Sequence, residues 1–95
     1  MAAYVIVEVS VKDPSIYEEY RKLTPGSVTA YEGKFRVRGG EVFSLEGDWN
    51  PERIVIVEFP SVERAREWWN SEPYSKARAI RQRSAETKMI IVDGV

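Results

Sequence analysis

Alternating valines near the N-terminus constrain the fold of this chain more than any other feature. Valine occupies every second position from residue 5 to residue 11, and side chains two residues apart share one face of a β-strand. β-branched residues also favour the pleated geometry. Tyr4 and Ile6, on the opposite face, are apolar as well. The sequence therefore predicts a strand over residues 3–11 that needs cover on both faces.

Three further strands follow from the same kind of alternation. They are expected at residues 34–38, 53–59 and 86–93. The paired Gly39 and Gly40 indicate a bulge or a close backbone approach, and the second strand is expected to resume at residues 42–45. A loop is expected at residues 46–51, which are rich in turn residues.

Capping residues predict a first helix after the first strand. Asp13 and Pro14 begin it, since Asp caps free N–H groups and Pro fits the first helical position. The Thr-Pro-Gly run at residues 24–26 is expected to interrupt this helix. A second segment is then expected to end near Gly33.

Two more helices are predicted before the last strand. Ser61 is expected to cap the first of them, with Ala65 and Trp69 facing the core and Trp68 off that face. Residues 73–83 are expected to form a second, short helix.

This order, βαββαβ with one extra short helix, is that of a ferredoxin-like α+β sandwich. The sandwich has a four-stranded antiparallel sheet, with the first and third strands central and the helices on one face. Apolar side chains are then predicted to remain on the uncovered face: Tyr4, Ile6, Ile54, Ile56, Met89 and Ile91. Because a large exposed apolar patch marks an interface, we expect a twofold homodimer in which two sheets pack face to face as a dimeric α+β barrel.

Composition limits the chemistry that this chain can perform. Its 95 residues fit a single domain over residues 1–95, with 14 basic and 15 acidic side chains and neither Cys nor His. Thiol nucleophiles, imidazole bases and Cys- or His-ligated metals are thereby excluded, and we expect no metal site and no cofactor. A net charge of −1 argues against nucleic-acid binding. Short, charge-interrupted apolar stretches and an N-terminus without signal features predict a cytoplasmic protein that enters no membrane.

An ordered set of short motifs resembles a known family. The motifs are Asp13-Pro14 with Tyr17 and Tyr20, Val37-Arg38-Gly39-Gly40, Glu46-Gly47-Asp48-Trp49, Glu58-Phe59-Pro60-Ser61, Ser71 with Tyr74, Arg81, and Val92-Asp93-Gly94. With them, residues 4–95 resemble the bacterial family called domain of unknown function thirteen-thirty, in the dimeric α+β-barrel superfamily. The resemblance implies the same βαββαβ dimer. Relatives in the wider superfamily include monooxygenases, haem-degrading enzymes and lactone isomerases, and the haem-degrading relatives commonly rely on a His that this chain lacks.

Two carboxylates are predicted on the uncovered sheet face. Alternation places Glu8 and Glu58 among the apolar residues of that face, and Arg36 and Arg38 are expected to join them. Burial raises the pKa of a carboxyl group, as a general base near neutral pH requires, so Glu58 or Glu8 is the candidate acid/base group. The alternative is a structural ion pair at the barrel rim or the dimer interface.

Candidates for holding an anionic substrate lie at the second strand and the last helix. Arg38 can bind a carboxylate through two parallel hydrogen bonds, and Gly39 lets a ligand approach the backbone. The alternative there is a bulge beside an interface arginine. Tyr74, Arg78 and Arg81 share one helical stripe, which is either an anion-binding wall or a solvated face. The family resemblance includes Arg81, and Tyr74 is placed to orient it.

Two aromatic residues complete the candidate substrate-binding set. Trp49 lies in a turn-rich loop and is either a lid over a pocket or a plug at a barrel end. Tyr20 is expected to be buried with its hydroxyl paired.

Two functional hypotheses follow. The first is a cofactor-free dimer that binds a small anionic or carbonyl metabolite, with isomerase or monooxygenase-like chemistry in which arginines stabilise an oxyanion. The second is a non-catalytic ligand-binding, regulatory or structural dimer, and whether the chain is an enzyme stays open. A cavity where Arg38 and a carboxylate converge would favour the first hypothesis. Direct pairing of those groups without a cavity would favour the second.

Overall fold

Four antiparallel strands and three helices follow the predicted order in a computed structural model that describes residues 2–95. The strands are β1 (Ala3–Val11), β2 (Lys34–Arg38), β3 (Arg53–Phe59) and β4 (Ala85–Asp93). The helices are α1 (Pro14–Ala30), α2 (Val62–Trp69) and α3 (Glu72–Ser84). The strand order across the sheet is β2-β3-β1-β4, so the first and third strands are central, as predicted. Within residues 2–95, no helix combines the length and the apolarity that crossing a membrane requires.

The valine face of β1 carries the helices, which confirms the predicted α+β sandwich. Val7 lies opposite Val55 of β3 and Met89 of β4 on this face. Met89 and Ile91 therefore point towards the helices, and the prediction that they lie on the uncovered face was wrong. Alternation within β4 shows only that neighbouring residues lie on opposite faces of the strand. The pairing of β4 with β1 decides which of the two faces meets the helices.

The uncovered face, hereafter the open face, is apolar at its centre. Ile6 lies opposite Ile56 and Ile90 in one row across three strands. Ile90 is 58% exposed in the single chain. This row supplies the exposed apolar surface that the sequence predicted, with Ile90 in place of Met89 and Ile91.

Helix α1 runs without interruption through Pro25, which corrects the predicted break at residues 24–26. Asp13 caps the helix as expected, and its carboxylate accepts a hydrogen bond from the Ile16 backbone amide at 3.2 Å. Side-chain hydroxyls on both sides of the proline hydrogen-bond to backbone carbonyls of the same helix. Thr24 donates its hydroxyl to the Tyr20 carbonyl at 2.7 Å, and Ser27 donates to the Thr24 carbonyl at 2.8 Å.

Residues 41–50 form no strand, so the predicted continuation of β2 at residues 42–45 was wrong. Their side chains are exposed, including Phe43 and Leu45. The chain leaves β2 at Gly39, whose φ of +74° turns the backbone out of the extended conformation. Without a paired strand, apolar alternation alone does not hold a segment in a sheet.

Trp68 belongs to the core, whereas Trp69 is half-buried, which reverses the predicted assignment. The Trp68 ring packs 3.9 Å from the Tyr74 ring and 5.2 Å from the Phe59 ring, measured between centroids. Its indole N–H donates to the Ser27 hydroxyl at 3.1 Å. Ser61 does cap α2 as predicted. Which of the two tryptophans faces the core depends on how this two-turn helix is rotated against the sheet. The periodicity of so short a helix does not determine that rotation.

Candidate functional site

A cavity lies between α1 and the valine face of the sheet, and it is the candidate site. Four arginines, aromatic rings, valines and one threonine line it: Val7, Val9, Tyr17, Tyr20, Arg21, Thr24, Phe35, Arg38, Arg53, Val55, Val57, Trp68 and Arg81. Its free space is about 450 Å³, a volume that includes solvent at the open mouth. Three residues predicted to hold substrate, Tyr20, Arg38 and Arg81, meet here.

A β-bulge brings Arg38 into this cavity. Phe35 lies opposite Val57, but Val37 lies opposite Ile56, so Arg36 is an extra residue between them. The extra residue reverses the alternation, and Arg38 then falls opposite Val55 on the helix side. The prediction that Arg36 and Arg38 share the open face was therefore wrong.

Arg38 is held at the cavity by two contacts. Its guanidinium carbon lies 4.6 Å from the centroid of the Phe35 ring, a cation–π arrangement. Its Nη2 donates to the backbone carbonyl of Arg21 at 3.1 Å. Neither contact neutralises the charge, so the guanidinium keeps donors for an anion.

Arg81 is a buried cation at the α3 side of the cavity. Its side chain is 3% exposed, and its Nη1 donates to the hydroxyl of Thr87. The Nε atom is buried without a hydrogen-bond partner. A guanidinium stays charged at any pH at which proteins fold, so this burial is unfavourable unless an anion compensates it. The interpretation of this stripe as a solvated face does not hold for Arg81 or Tyr74, which are both buried.

Arg53 is a cavity residue that the sequence reasoning missed. Its Nε is buried without a partner, and its guanidinium carbon lies 6.0 Å from the Tyr17 ring centroid. The signal was present, because Arg53 alternates in phase with Val55 and Val57 on the helix side of β3. Gly39 is what gives Arg53 room, since a Cβ on Gly39 would overlap the Arg53 guanidinium. The close approach predicted at Gly39 is thus occupied by an arginine.

Positive charge accumulates at the cavity without an acidic partner. Among the described residues, Arg21 is the one lining arginine with an ion pair, to Glu18 at 3.3 Å. Within residues 2–95, no carboxylate lies within 4.0 Å of the guanidinium nitrogens of Arg38, Arg53 or Arg81. The lining residues include no Asp or Glu. The cavity is therefore an electropositive site with apolar walls.

Two tyrosines place neutral hydroxyl groups beside these cations. The Tyr20 and Tyr74 hydroxyl oxygens are 3.1 Å apart in a buried hydrogen bond, which confirms the predicted pairing of Tyr20. Burial and the adjoining Tyr74 phenol raise the pKa of Tyr20 well above its ordinary value. Burial also raises the pKa of Tyr17, against the opposing charge of Arg53. The Tyr17 and Tyr20 phenols therefore stay protonated at neutral pH and can donate hydrogen bonds to an anion.

The two predicted carboxylates lie on the other side of the sheet. Glu58 is opposite Tyr4, four positions along β1 from Glu8, so at about 3.3 Å per residue their backbones are about 13 Å apart. Glu58 pairs with Arg36, whose Nε lies 2.9 Å from its Oε1. This contact matches the ion-pair alternative.

Trp49 and Glu8 form a separate contact at the end of the open face. The indole N–H of Trp49 donates to the Glu8 carboxylate at 3.1 Å, and Trp49 is 62% exposed. Trp49 does not line the helix-side cavity, so the structure does not bring it to Tyr20, Arg38 and Arg81. Within residues 2–95, the Asp and Glu side chains form no group of three or more suited to a metal ion.

The observed arrangement differs from both outcomes expected from the sequence. A cavity with Arg38 exists, as the ligand-binding hypothesis requires, but no carboxylate enters it. The carboxylates have partners elsewhere, Arg36 for Glu58 and Trp49 for Glu8, and not the pairing with Arg38 that the structural hypothesis requires. The sheet thus separates the cationic cavity from the two predicted carboxylates, Glu8 and Glu58, which lie on the open face.

Solved structures share this fold at low sequence identity. A protein of unknown function from Rhodopseudomonas palustris superposes with a TM-score of 0.81 at 19% identity, over 99% of this chain and 82% of that one. A dimeric ferredoxin-like protein of unknown function from Jannaschia sp. CCS1 gives 0.78 at 12% identity, over 99% and 100%. A cofactor-independent oxygenase from Streptomyces nogalater gives 0.68 at 8% identity, over 99% and 93%. At these identities the likeness shows the fold alone.

Sequence comparison gives the family. No protein of curated function matches the chain. Residues 2–95, nearly the whole chain, match the family described as "Domain of unknown function (DUF1330)". The match confirms the resemblance that the ordered motifs predicted, and this chain therefore belongs to the DUF1330 family.

Proposed function

We propose that the helix-side cavity binds a small organic anion. The observation that carries this proposal is the set of three guanidinium groups, Arg38, Arg53 and Arg81, which share one cavity without a carboxylate among its lining residues. Like charges held together in a partly desolvated site repel one another, and an anion is the ligand that removes this repulsion. Arginine also presents the fork of donors that matches a carboxylate.

The residues of the cavity walls indicate the chemistry of the uncharged part of the ligand. Phe35, Trp68 and the valines of β1 and β3 supply apolar and aromatic contacts. Tyr17 and Tyr20 add neutral donors. The ligand class that fits is a carboxylate or enolate on a compact apolar or aromatic body, because its charge meets the arginines while its body displaces water from the walls.

The open face supports a homodimer. Ile6, Ile56 and Ile90 form an apolar row in which Ile90 is exposed and the other two are half-buried, and the structures similar to this chain include dimeric ferredoxin-like proteins. Packing two such faces together would cover the row and also bury the Glu58–Arg36 pair. Because the cavity lies on the opposite side of the sheet, each protomer of this proposed dimer keeps its own ligand site.

Binding is tested by calorimetric titration with benzoate, whose carboxylate and ring match the two halves of the cavity. Benzyl alcohol, a neutral molecule of similar size, is the ligand control. Arg81→Gln removes the buried cation, and Arg83→Gln removes an exposed cation from the same helix, so the two variants change net charge equally.

The proposal predicts that benzoate binds and benzyl alcohol does not. Arg81→Gln should weaken benzoate binding by about 10- to 100-fold, as expected when a charge-assisted hydrogen bond is lost, and Arg83→Gln should leave it unchanged. Absence of benzoate binding to the native protein, or equal losses in both variants, would overturn the proposal.

Cofactor-free turnover is a second candidate, favoured by the hydroxyl pair of Tyr20 and Tyr74 beside Arg81. Neutral phenols and a guanidinium can stabilise an enolate that forms when the substrate's C–H proton passes to solvent water, because the cavity lining includes no carboxylate to take it. One neighbour in fold is described as a cofactor-independent oxygenase. The acid/base roles predicted for Glu8 and Glu58 stay predictions, and they would need a substrate on the open face.

Deuterium exchange separates turnover from binding alone. Phenylpyruvate is incubated in heavy water, and loss of its methylene proton signal is followed by NMR with and without the protein. Turnover at the cavity predicts faster exchange with the native protein, abolished in Tyr20→Phe and retained in Glu58→Gln. Loss in Glu58→Gln instead would move the chemistry to the open face, and no acceleration would leave a binding site only.

A further inference from the structure

Pro25 leaves one backbone carbonyl of α1 without its helical donor. In an α-helix, the amide of each residue bonds to the carbonyl four residues earlier, so the partner of position 25 is the Arg21 carbonyl. Proline has no N–H, and its ring also crowds that carbonyl and turns it away from the helix axis. The Arg21 carbonyl therefore needs another donor.

Arg38 supplies that donor from the neighbouring strand. Its Nη2 lies 3.1 Å from the Arg21 carbonyl oxygen. The same guanidinium stacks on Phe35, and both Arg38 and Arg21 line the cavity. One end of the guanidinium is thus hydrogen-bonded to α1 and its central carbon lies over the Phe35 ring, while no carboxylate within residues 2–95 lies within 4.0 Å of its nitrogens.

We propose that Pro25 is a positioning residue for the anion site, because it exposes the carbonyl that holds Arg38 in place. This inference rests on the proposed function of the cavity as an anion site. A free arginine samples many rotamers, and fixing one of them on binding weakens affinity. With Pro25 present, the hydrogen bond to the Arg21 carbonyl already restricts the exposed Arg38 side chain before the ligand arrives. Any other residue at position 25 would bring an amide that competes for the same carbonyl.

The test compares Pro25→Ala with Pro14→Ala in the full chain. Pro14 stands at the first helical position, where no carbonyl is waiting for an amide, so its replacement alters proline content without freeing Arg38. Benzoate affinity is measured by calorimetry for both variants, for Arg38→Ala and for the double variant Pro25→Ala/Arg38→Ala. NMR relaxation of the Arg38 Nε–H group, measured without ligand, reports its order directly.

The inference predicts a loss of benzoate affinity of about fivefold in Pro25→Ala, which corresponds to about 1 kcal/mol. Pro14→Ala should bind like the native protein. In the Arg38→Ala background, Pro25→Ala should cause no further loss, since the residue through which it acts is absent. The Arg38 Nε–H group should be rigid in the native protein and mobile in Pro25→Ala.

Three results would overturn the inference. They are unchanged affinity in Pro25→Ala, an equal loss with and without Arg38, and an Arg38 side chain that is equally mobile in the native protein and in Pro25→Ala. These differ from failure of the proposed function, in which the native protein itself does not bind benzoate. In that case the NMR comparison still decides whether Pro25 positions Arg38.

Discussion

Replacement of Arg81 by methionine should make the protein more stable while removing its anion binding. Arg81 is 3% exposed, its Nε has no partner, and the hydroxyl of Thr87 is the acceptor for its guanidinium. Burial of an ion without a counter-charge costs several kcal/mol, against about 1.5–3 kcal/mol for one hydrogen bond to a charged group. Methionine keeps the apolar stem and drops the charge. The net change expected is a gain of about 1 kcal/mol in the free energy of unfolding.

Urea unfolding followed by tryptophan fluorescence measures this gain, at one fixed protein concentration and in a buffer free of organic anions. A thermal melt should show a rise of about 4–8 °C for a domain of this size. Arg83→Met is the control, since Arg83 lies on the same helix with its side chain in solvent, and its change should stay within about 0.5 kcal/mol. If Arg81→Met instead lowers stability by more than about 1 kcal/mol while Arg83→Met does not, Arg81 is a structural residue. The argument from an uncompensated buried cation would then be refuted.

Three further predictions concern the pH dependence, the glycine turn and the open face. The pKa of Tyr20 is raised in the folded protein, whereas in the unfolded chain it is near 10. Above about pH 10 the unfolded chain therefore loses this proton while the folded protein keeps it. The contribution of Tyr20 to stability is thus full below about pH 10 and falls above it. In Tyr20→Phe, urea midpoints from about pH 9 to 11 should fall less steeply, and parallel curves would contradict this. Gly39→Ala should lower the free energy of unfolding by about 1 kcal/mol, because the φ of Gly39 is +74°. It should also weaken benzoate binding, measured by calorimetry, because the added Cβ displaces the Arg53 guanidinium. Gly40→Ala, where an added Cβ meets no atom, is the control and should change neither. Ile56→Asp should yield a monomer that still binds benzoate, as judged by sedimentation at micromolar protein; a native protein that is already monomeric there would exclude the proposed dimer.

The sequence predicted the elements well because their signals are local. Strand alternation and the Asp13 and Ser61 caps all depend on residues within a few positions of one another. Where a local signal competed with a distant one, prediction went wrong. Pro25 indicated a break, but α1 runs through it, packed against α3, and the Arg21 carbonyl that Pro25 leaves without an amide accepts from Arg38 of β2. Residues 42–45 have strand-like composition but no strand to pair with.

The candidate site was predicted in part. Tyr20, Arg38 and Arg81 do meet in one cavity, and Tyr74 bonds to Tyr20 behind it. The predicted carboxylates do not join them. Arg53 was overlooked, although its position in phase with Val55 and Val57 in β3 predicts that it faces the helices. Burial of Arg81 could not be anticipated, since a helical stripe of arginines has the same pattern on a solvated face as on a cavity wall.

Apart from residues 42–45 and the predicted interruption of α1, the sequence by itself determined which segments become strands and helices, and it determined the two apolar faces of β1, because backbone periodicity and caps are properties of neighbouring residues. The tertiary structure decided which face each side chain reaches. The bulge at Arg36 moved Arg38 across the sheet, and pairing with β1 turned Met89 towards the helices. The physical reason is that a strand has a period of two, so a shift of one residue in pairing reverses every side chain beyond it. Strand pairing, a contact between distant parts of the chain, thus placed Arg38 and Arg53 at the cavity and the two carboxylates on the other side, while the packing of α3 brought Arg81 to the same cavity.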